Sequence, residues 1–254
     1  LSWDILLSMK PLKLSKKIHS NYQYQFLNQS DKIITTNNRL KSEFSSLTKN
    51  KIEVIHNGSD IYPSDSQTNK KFILSYFGLM NKFRNPKVLI RVLDNLLEKD
   101  EVFYENFEFH LYGDIQKTTL VDIRNKKYLN KKTIIKSYVS YDQVSKEIDS
   151  SSVLLLLLNN KKNQNTTPYK LFDYLVSEKN ILTLGDYPSA DVDDLLEKYK
   201  RSKRLNYSAS QEIKDFICKM FELHKNKKLK NLKLDYSELR YKNLAKRLKR
   251  FIDL

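Results

Sequence analysis

Along the chain, short continuous apolar runs alternate with segments whose apolar residues recur every three or four positions. The runs predict strands and the periodic segments predict helices. Strands are predicted at residues 32–35, 51–55, 72–77, 107–112, 133–138, 153–158 and 180–184. Helices are predicted at residues 14–29, 37–47, 86–97, 120–129, 141–148, 169–177, 192–199, 211–223 and 236–252. This alternation indicates an α/β fold, with a Rossmann-like parallel sheet and helices on both of its faces.

The most apolar run, residues 153–158, is typical of a central strand that is covered on both faces. Ligands of such sheets bind beyond the carboxyl ends of the strands. Gly78, Gly113 and Gly185 each follow a predicted strand, in a chain that has only four glycines. We therefore expect these glycines, and the turn before Pro168, to lie at the ligand-binding edge of the sheet.

Composition excludes several classes of protein. The chain is 40% hydrophobic and 30% charged, as in ordinary globular proteins, and no apolar run approaches the roughly 18 residues that cross a membrane. A single cysteine excludes a disulfide framework, and the four histidines have no ligand spacing, so no metal site is expected. The chain opens with Leu-Ser-Trp and has no signal-peptide pattern, so we interpret it as a fragment or a processed chain with a cytoplasmic location.

The charge balance is strongly basic. Lys and Arg exceed Asp and Glu by 46 − 30 = 16, and residues 198–254 contribute 18 − 6 = 12 of that surplus. Such a surface favours an anionic partner. A bias of AT-rich coding accounts for the surplus equally well, because 37 of the basic residues are lysines. A nucleic-acid partner is disfavoured, since no aromatic base-stacking motif accompanies these lysines. An anionic membrane surface, contacted peripherally at its inner face, is the remaining macromolecular candidate.

Four stretches resemble, in order, motifs of the family 4 glycosyltransferases, which have the GT-B fold. Residues 31–36 (DKIITT) with 54–60 (VIHNGSD) resemble the family's crossing from the acceptor domain to the donor domain. Residues 76–79 (YFGL) with 84–86 (RNP) resemble the loop that opens the donor domain in a polysaccharide-synthesis branch. Residues 109–113 (FHLYG) resemble a further strand of that domain, and 167–175 (TPYKLFDYL) with 180–182 (NIL) resemble its most specific signature.

The resemblance implies a site for a nucleotide-sugar donor. Negative charge grows on the donor's diphosphate as the sugar–phosphate bond breaks, so cations and N–H groups are needed there. Arg84 has a fork suited to phosphate, and Lys170 lies in the first turn of a helix whose positive end is at the same edge. The implied catalytic residues are Arg84 and Lys170. The implied donor-binding residues are Gly78, Arg84, Tyr138, Pro168, Lys170, Leu171 and Asp173.

Individual roles follow from the same resemblance. Asp173 stands where the family has a glutamate that accepts both ribose hydroxyls, and Asn165 stands where the wider family has another carboxylate. Tyr138 is a candidate to flank the base, with a core position as the alternative. Asn57 and Gly58 are interpreted as a structural turn outside the site. No metal or other cofactor is implied, because the nucleotide sugar is a substrate.

The implied organisation has four parts. Residues 1–62 are a C-terminal remnant of the acceptor-binding domain, 63–70 a linker, 71–235 the donor-binding domain and 236–254 a crossover helix. The implied function is hexosyl transfer from a nucleotide-diphosphate sugar to a saccharide or lipid-linked acceptor, in the synthesis of cell-surface polysaccharide or glycolipid. The expected partners include the missing N-terminal acceptor domain. Two alternatives stay open: a non-catalytic nucleotide-sugar-binding subunit that needs a separate acceptor-domain chain, and a basic nucleic-acid-binding protein.

Overall fold

A computed structural model describes residues 12–63, 69–160 and 167–253 of the chain.

The first part of the fold is a small two-stranded unit. The unit consists of α1 (Lys13–Gln29), β1 (Lys32–Thr35), α2 (Asn38–Ser45) and β2 (Lys51–Val54). The two strands pair in parallel. Asn37 caps α2, because its side chain accepts a hydrogen bond of 2.8 Å from the N–H of Leu40.

The second part is a parallel sheet of five strands. These strands are β3 (Phe72–Phe77), β4 (Phe107–Tyr112), β5 (Thr133–Lys136), β6 (Val153–Leu157) and β7 (Asn180–Leu184). The accompanying helices are α3 (Lys87–Lys99), α4 (Glu101–Asn106), α5 (Lys117–Arg124), α6 (Leu129–Lys132), α7 (Tyr141–Ser150), α8 (Tyr169–Val176), α9 (Ala190–Lys198) and α10 (Ser210–Lys225). After a 3₁₀ turn at Ser237–Leu239, α11 (Tyr241–Asp253) completes the described chain.

The strand order of this sheet sets the place for a ligand. The order is β5-β4-β3-β6-β7, so the chain builds outwards from β3 in one direction and then returns to add β6 on the other side. A sheet of this kind has a crevice at the carboxyl ends of the strands where the order reverses. The predicted parallel sheet is therefore confirmed, and the binding of a ligand at its carboxyl edge stays a prediction.

Both faces of the sheet are covered. Every residue of β3 and of β6 is buried. Leu155 and Leu157 of β6 pack in the hydrophobic cluster on one face, whereas Leu154 and Leu156 pack in the cluster on the other. Because side chains alternate along a strand, this division explains why the run of residues 153–158 is apolar throughout.

The C-terminal segment crosses back to the two-stranded unit. Phe251 of α11 is buried, Lys32 donates to the carbonyl oxygen of Ile252 over 2.9 Å, and Arg247 donates to Glu53 over 2.8 Å. Gly58 lies beneath this segment: a Cβ there would come within 2.6 Å of Leu244. Close packing thus requires glycine at this position, in agreement with the structural interpretation of Asn57 and Gly58. The proposed domain bounds stay predictions, and residues 64–68 of the linker lie outside the described part.

Three predicted helices differ from those in the structure. The predicted helix over 236–252 is interrupted at Arg240, which has extended backbone (φ −81°, ψ 132°). The predicted helix over 120–129 is replaced by α5 and α6, and α4 was not predicted. The periodic apolar residues that predicted the helix at 14–29 are largely exposed in α1, since only Leu27 of that helix is buried, whereas Phe26 is 66% exposed. Within the described residues, no helix combines the length and apolarity needed to span a membrane.

Candidate functional site

A cleft of about 540 Å³ lies at the carboxyl edge of the sheet. Its walls are the ends of β3, β4 and β5 and the first residues of α7 and α8. The lining residues are Phe77, Gly78, Arg84, Tyr112, Gly113, Tyr138, Val139, Tyr141, Val144, Thr167, Pro168, Tyr169, Lys170 and Asp173. The cleft therefore brings together every predicted site residue except Leu171.

Two glycines form the floor at the ends of β3 and β4. Gly78 and Gly113 have φ angles of +114° and +115°, which side-chain-bearing residues rarely adopt. A Cβ on Gly78 would lie 2.9 Å from Nζ of Lys170, and one on Gly113 would lie 2.7 Å from the carbonyl oxygen of Gly78. The two turns thus pack against each other and leave room for the lysine.

Lys170 reaches from the first turn of α8 to the end of β3. Its ammonium group donates to the carbonyl oxygen of Phe77 and lies 4.2 Å from the centre of the Tyr76 ring. Burial, and then the positive charge of Arg84, lower the pKa of Lys170 to about 7. The lysine is therefore a cation near its point of deprotonation, directed at the floor of the cleft.

Arg84 supplies a second positive charge to the same cleft. Its guanidinium hydrogen-bonds with the buried Tyr76, whose pKa is raised to about 12 by burial. None of the ion pairs found in the described residues includes Arg84 or Lys170. Because two neighbouring cations repel each other, such an arrangement favours an anion placed between them.

Two polar atoms of the cleft-lining residues are buried without a partner among the described residues. They are Nε of Arg84 and Oγ1 of Thr167. Buried polar groups are normally hydrogen-bonded, since leaving one unpaired costs about 1–3 kcal/mol. Next to them, α8 begins after Pro168 without a side-chain cap, so its positive end adjoins the cleft. These features fit a bound group with several acceptor oxygens.

Asp173 provides a negative charge in the cleft. It is only 6% exposed, and its Oδ1 accepts a hydrogen bond of 3.3 Å from the hydroxyl of Tyr141 at the start of α7. The hydroxyl of Ser59 also hydrogen-bonds with this carboxylate. Burial raises the pKa of Asp173, whereas these two hydrogen bonds lower it. The cleft thus holds cations and a carboxylate that do not form a salt bridge with each other in the described chain.

The remaining predicted residues separate into two groups. Tyr138 is 79% exposed and lines the cleft, so the alternative of a core position is wrong. Leu171 is 0% exposed and packs in the hydrophobic cluster beneath α8, while its N–H donates to the carbonyl oxygen of Pro168 over 3.0 Å. The structure therefore does not bring Leu171 into the cleft. Asn165 lies outside the described residues.

Sequence reasoning missed three side chains at this site: Ser59, Tyr141 and Tyr169. The hydroxyl of Tyr169 lies 2.6 Å from that of Tyr241, which begins α11. A sequence signal existed for Tyr141, because Ser140 and Gln143 form a capping box that starts α7, and a first-turn residue after a strand lies at the carboxyl edge. No group of three or more metal-ligating side chains converges within the described residues.

No protein-family profile matches the sequence, and no curated protein matches it. Solved structures do match, and they are glycosyltransferases of the GT-B fold. The chain therefore has the fold of the C-terminal half of these GT-B proteins, with its Rossmann-like parallel sheet. This likeness establishes the architecture in which the cleft lies.

Three of these solved structures illustrate the likeness. A point mutant of S. aureus TarM, in complex with fondaparinux, α-GlcNAc-glycerol and UDP, is 14% identical with a TM-score of 0.66, covering 92% of this chain and 46% of that one. The pneumococcal O-GlcNAc transferase GtfA, in complex with UDP and GlcNAc, is 16% identical in sequence to this chain. The match has a TM-score of 0.64 and covers 91% of this chain and 46% of GtfA. WaaG, a glycosyltransferase involved in lipopolysaccharide biosynthesis, is 12% identical in sequence to this chain. The match has a TM-score of 0.59 and covers 86% of this chain and 63% of WaaG. The chain spans less than half the length of the first two.

Proposed function

We propose that the cleft binds the nucleoside-diphosphate part of a nucleotide-sugar donor, and that the chain is the donor-binding part of a glycosyltransferase. The observation that carries this proposal is the pair of cations in the cleft, Arg84 and Lys170, which form no ion pair with any described carboxylate and lie beside the uncapped start of α8. A diphosphate supplies the charge and the acceptor oxygens that this arrangement lacks.

The same groups would assist transfer. When the bond between the sugar and the diphosphate breaks, the bonding electrons stay on the diphosphate oxygen. Arg84 and Lys170 then stabilise this developing charge, because they are held in place by Tyr76 and by the carbonyl of Phe77 before the reaction begins. An anion beside Lys170 also raises the pKa of its ammonium group, so the bound lysine is charged at neutral pH.

The other end of the cleft suits a nucleoside. Asp173 is a buried carboxylate whose oxygens can accept hydrogen bonds from two ribose hydroxyls. The exposed ring of Tyr138 is available to stack on the base. UDP is bound in the S. aureus TarM and pneumococcal GtfA structures, and it is therefore the first nucleotide to test.

The transferred group would be a hexose, and the acceptor a saccharide or a lipid-linked sugar. The likeness to WaaG, an enzyme of lipopolysaccharide biosynthesis, supports a role in cell-surface polysaccharide or glycolipid synthesis. We place the reaction on the cytoplasmic side, where the acceptor would be presented at the inner face of the membrane. The acceptor would be held by a further domain that faces the cleft.

A non-catalytic donor-binding subunit is a second candidate. It needs only the groups that line this cleft, because these bind a nucleotide sugar without any acceptor. In that case the same cleft binds the nucleotide sugar, and a separate chain carries the acceptor site.

Calorimetric titration of the chain with UDP, and with inorganic pyrophosphate, tests the proposal. We expect both to bind, and UDP to bind more tightly because the pyrophosphate does not contact Asp173 or Tyr138. If neither UDP nor pyrophosphate binds to the chain, the proposed function is contradicted. Hydrolysis and transfer assays with UDP-hexoses, with the acceptor half supplied in trans, then distinguish an enzyme from a binding subunit. We expect transfer only when the acceptor half is present, because well-oriented placement of the acceptor contributes about 7–11 kcal/mol to lowering the barrier.

A further inference from the structure

Ser59 is a fully buried serine whose hydroxyl contacts the cleft carboxylate. It is 0% exposed and follows β2 by five positions, far in sequence from α8. Its hydroxyl hydrogen-bonds with Asp173 and lies next to the hydroxyl of Tyr141. A residue outside the five-stranded sheet therefore contributes directly to the environment of the cleft.

The C-terminal segment holds Ser59 in place. The N–H of Ser59 donates to the carbonyl oxygen of Leu239 over 2.9 Å, and its own carbonyl oxygen accepts from Arg240 over 3.3 Å. Its Oγ accepts a hydrogen bond of 3.1 Å from the N–H of Ile61. The backbone of Ser59 is thus fixed by the crossing of the chain, and the proton of its hydroxyl is free to point to the carboxylate of Asp173.

Counting lone pairs shows what this contact leaves for a ligand. An ionised carboxylate has about four acceptor positions. The hydroxyls of Ser59 and Tyr141 occupy two positions on Asp173. About two positions then remain for a ligand in the cleft, and two adjacent hydroxyls on one ring match that number.

We propose that Ser59 is a positioning residue for the nucleotide ribose: it orients the Asp173 carboxylate so that its remaining acceptor positions receive the ribose hydroxyls. This inference rests on the proposed function. It also assigns a ligand class to this end of the cleft, since a ribonucleoside is preferred over its deoxy analogue. The crossing at Leu239 and Arg240 thereby supports the donor site through a single side chain.

The experiment compares the affinities of the chain for UDP, for 2′-deoxy-UDP and for inorganic pyrophosphate. The wild-type chain should bind UDP about tenfold or more tightly than the deoxy analogue, as expected for a hydrogen bond to a charged group. In Ser59→Ala this ratio should fall towards one, while the affinity for pyrophosphate stays unchanged. Ser177→Ala is the matched control, because Ser177 is equally buried but donates to Tyr174 at the far end of α8.

Each result of these titrations supports or overturns the role of Ser59. If Ser59→Ala does not fold, Ser59→Cys retains the volume but replaces the hydroxyl by a weak donor, and it should show the same fall in the ratio. A wild-type chain that binds UDP and 2′-deoxy-UDP equally, or a variant that keeps the wild-type ratio, would overturn the role of Ser59 and leave the proposed function intact. A wild-type chain that does not bind UDP at all would overturn the proposed function and this inference with it.

Discussion

The ammonium group of Lys170 lies 4.2 Å from the centre of the Tyr76 ring, with the aromatic face on one side and the cleft on the other. A cation over an aromatic ring is attracted to the ring electrons, and this attraction strengthens when water is excluded. The lysine is thereby held at the end of β3 although its burial disfavours the charge. This arrangement keeps a positive charge available for a ligand, since no described carboxylate forms an ion pair with Lys170.

The pKa of about 7 for Lys170 predicts a pH dependence of nucleotide binding. In the free chain the lysine loses its proton as the pH rises through 7, whereas a bound diphosphate favours the charged form. Binding above pH 7 is therefore accompanied by proton uptake, and the affinity for UDP should fall by about tenfold per pH unit. Calorimetry between pH 7 and 9 avoids the titration of the phosphate itself, which has a pKa of about 6.

Lys170→Met is the variant that checks this interpretation. It should bind UDP more weakly at pH 7 and should lose the steep fall above that pH, because no proton is then taken up at this position. If Lys170→Met keeps the wild-type pH dependence of UDP affinity, the proton that is taken up on binding belongs to another group.

Replacement of Arg84 by alanine should weaken UDP binding by about 1.5–3 kcal/mol, the scale of a hydrogen bond to a charged group. Calorimetry on both proteins measures the difference. Arg91→Ala on α3 is the matched control, because Arg91 is exposed and does not line the cleft. Equal affinities of Arg84→Ala and the control would remove Arg84 from the site.

Gly78→Ala should affect both stability and binding. Its positive φ makes any side chain strained, at a cost of about 1–3 kcal/mol in the free energy of unfolding. The added Cβ would also press on Lys170, so UDP affinity should fall in protein that remains folded. Gly185→Ala is the comparison, since its Cβ would meet Leu158 and Arg204 away from the cleft. Denaturant unfolding and calorimetry should show a loss of stability in both variants, but a loss of affinity only in Gly78→Ala.

The basic face of α11 predicts binding to an anionic surface. Lys242, Lys246, Lys249 and Arg250 are all exposed. Binding to vesicles should rise with the fraction of anionic lipid and fall with added salt, because surface charge is screened over about 8 Å at physiological ionic strength. Changing the three lysines to glutamine should reduce the binding of the chain to these vesicles. Indifference to vesicles would favour codon bias as the origin of the charge, whereas a steep salt dependence of DNA binding would indicate nucleic acid.

Local patterns were sufficient to predict the sheet. The run of residues 153–158 indicated a strand covered on both faces, and Gly78, Gly113 and Pro168 marked the edge where the cleft lies. These features depend on neighbours in sequence, since periodicity and turn geometry are local properties. Arg84, Lys170 and Asp173 were candidates because of the resemblance to glycosyltransferase motifs, and the structure places all three in one cleft.

Contacts between distant segments could not be predicted in the same way. Ser59 looked like part of a turn, and its contact with Asp173 depends on how the C-terminal segment crosses the chain. The break at Arg240 has the same origin, because its guanidinium turns back to the carbonyl oxygens of Ser59 and Ile61. The place of the Leu171 side chain could not be predicted from the motif, because its neighbours there line the cleft, whereas helical geometry turns its own side chain into the core.

The most direct test of the central claim is a structure of the chain with UDP bound. We expect the diphosphate between Arg84, Lys170 and the first turn of α8, the ribose hydroxyls on Asp173 and the base beside Tyr138. UDP bound at another surface, or bound in this cleft with its diphosphate away from both cations, would contradict the assignment of a donor site.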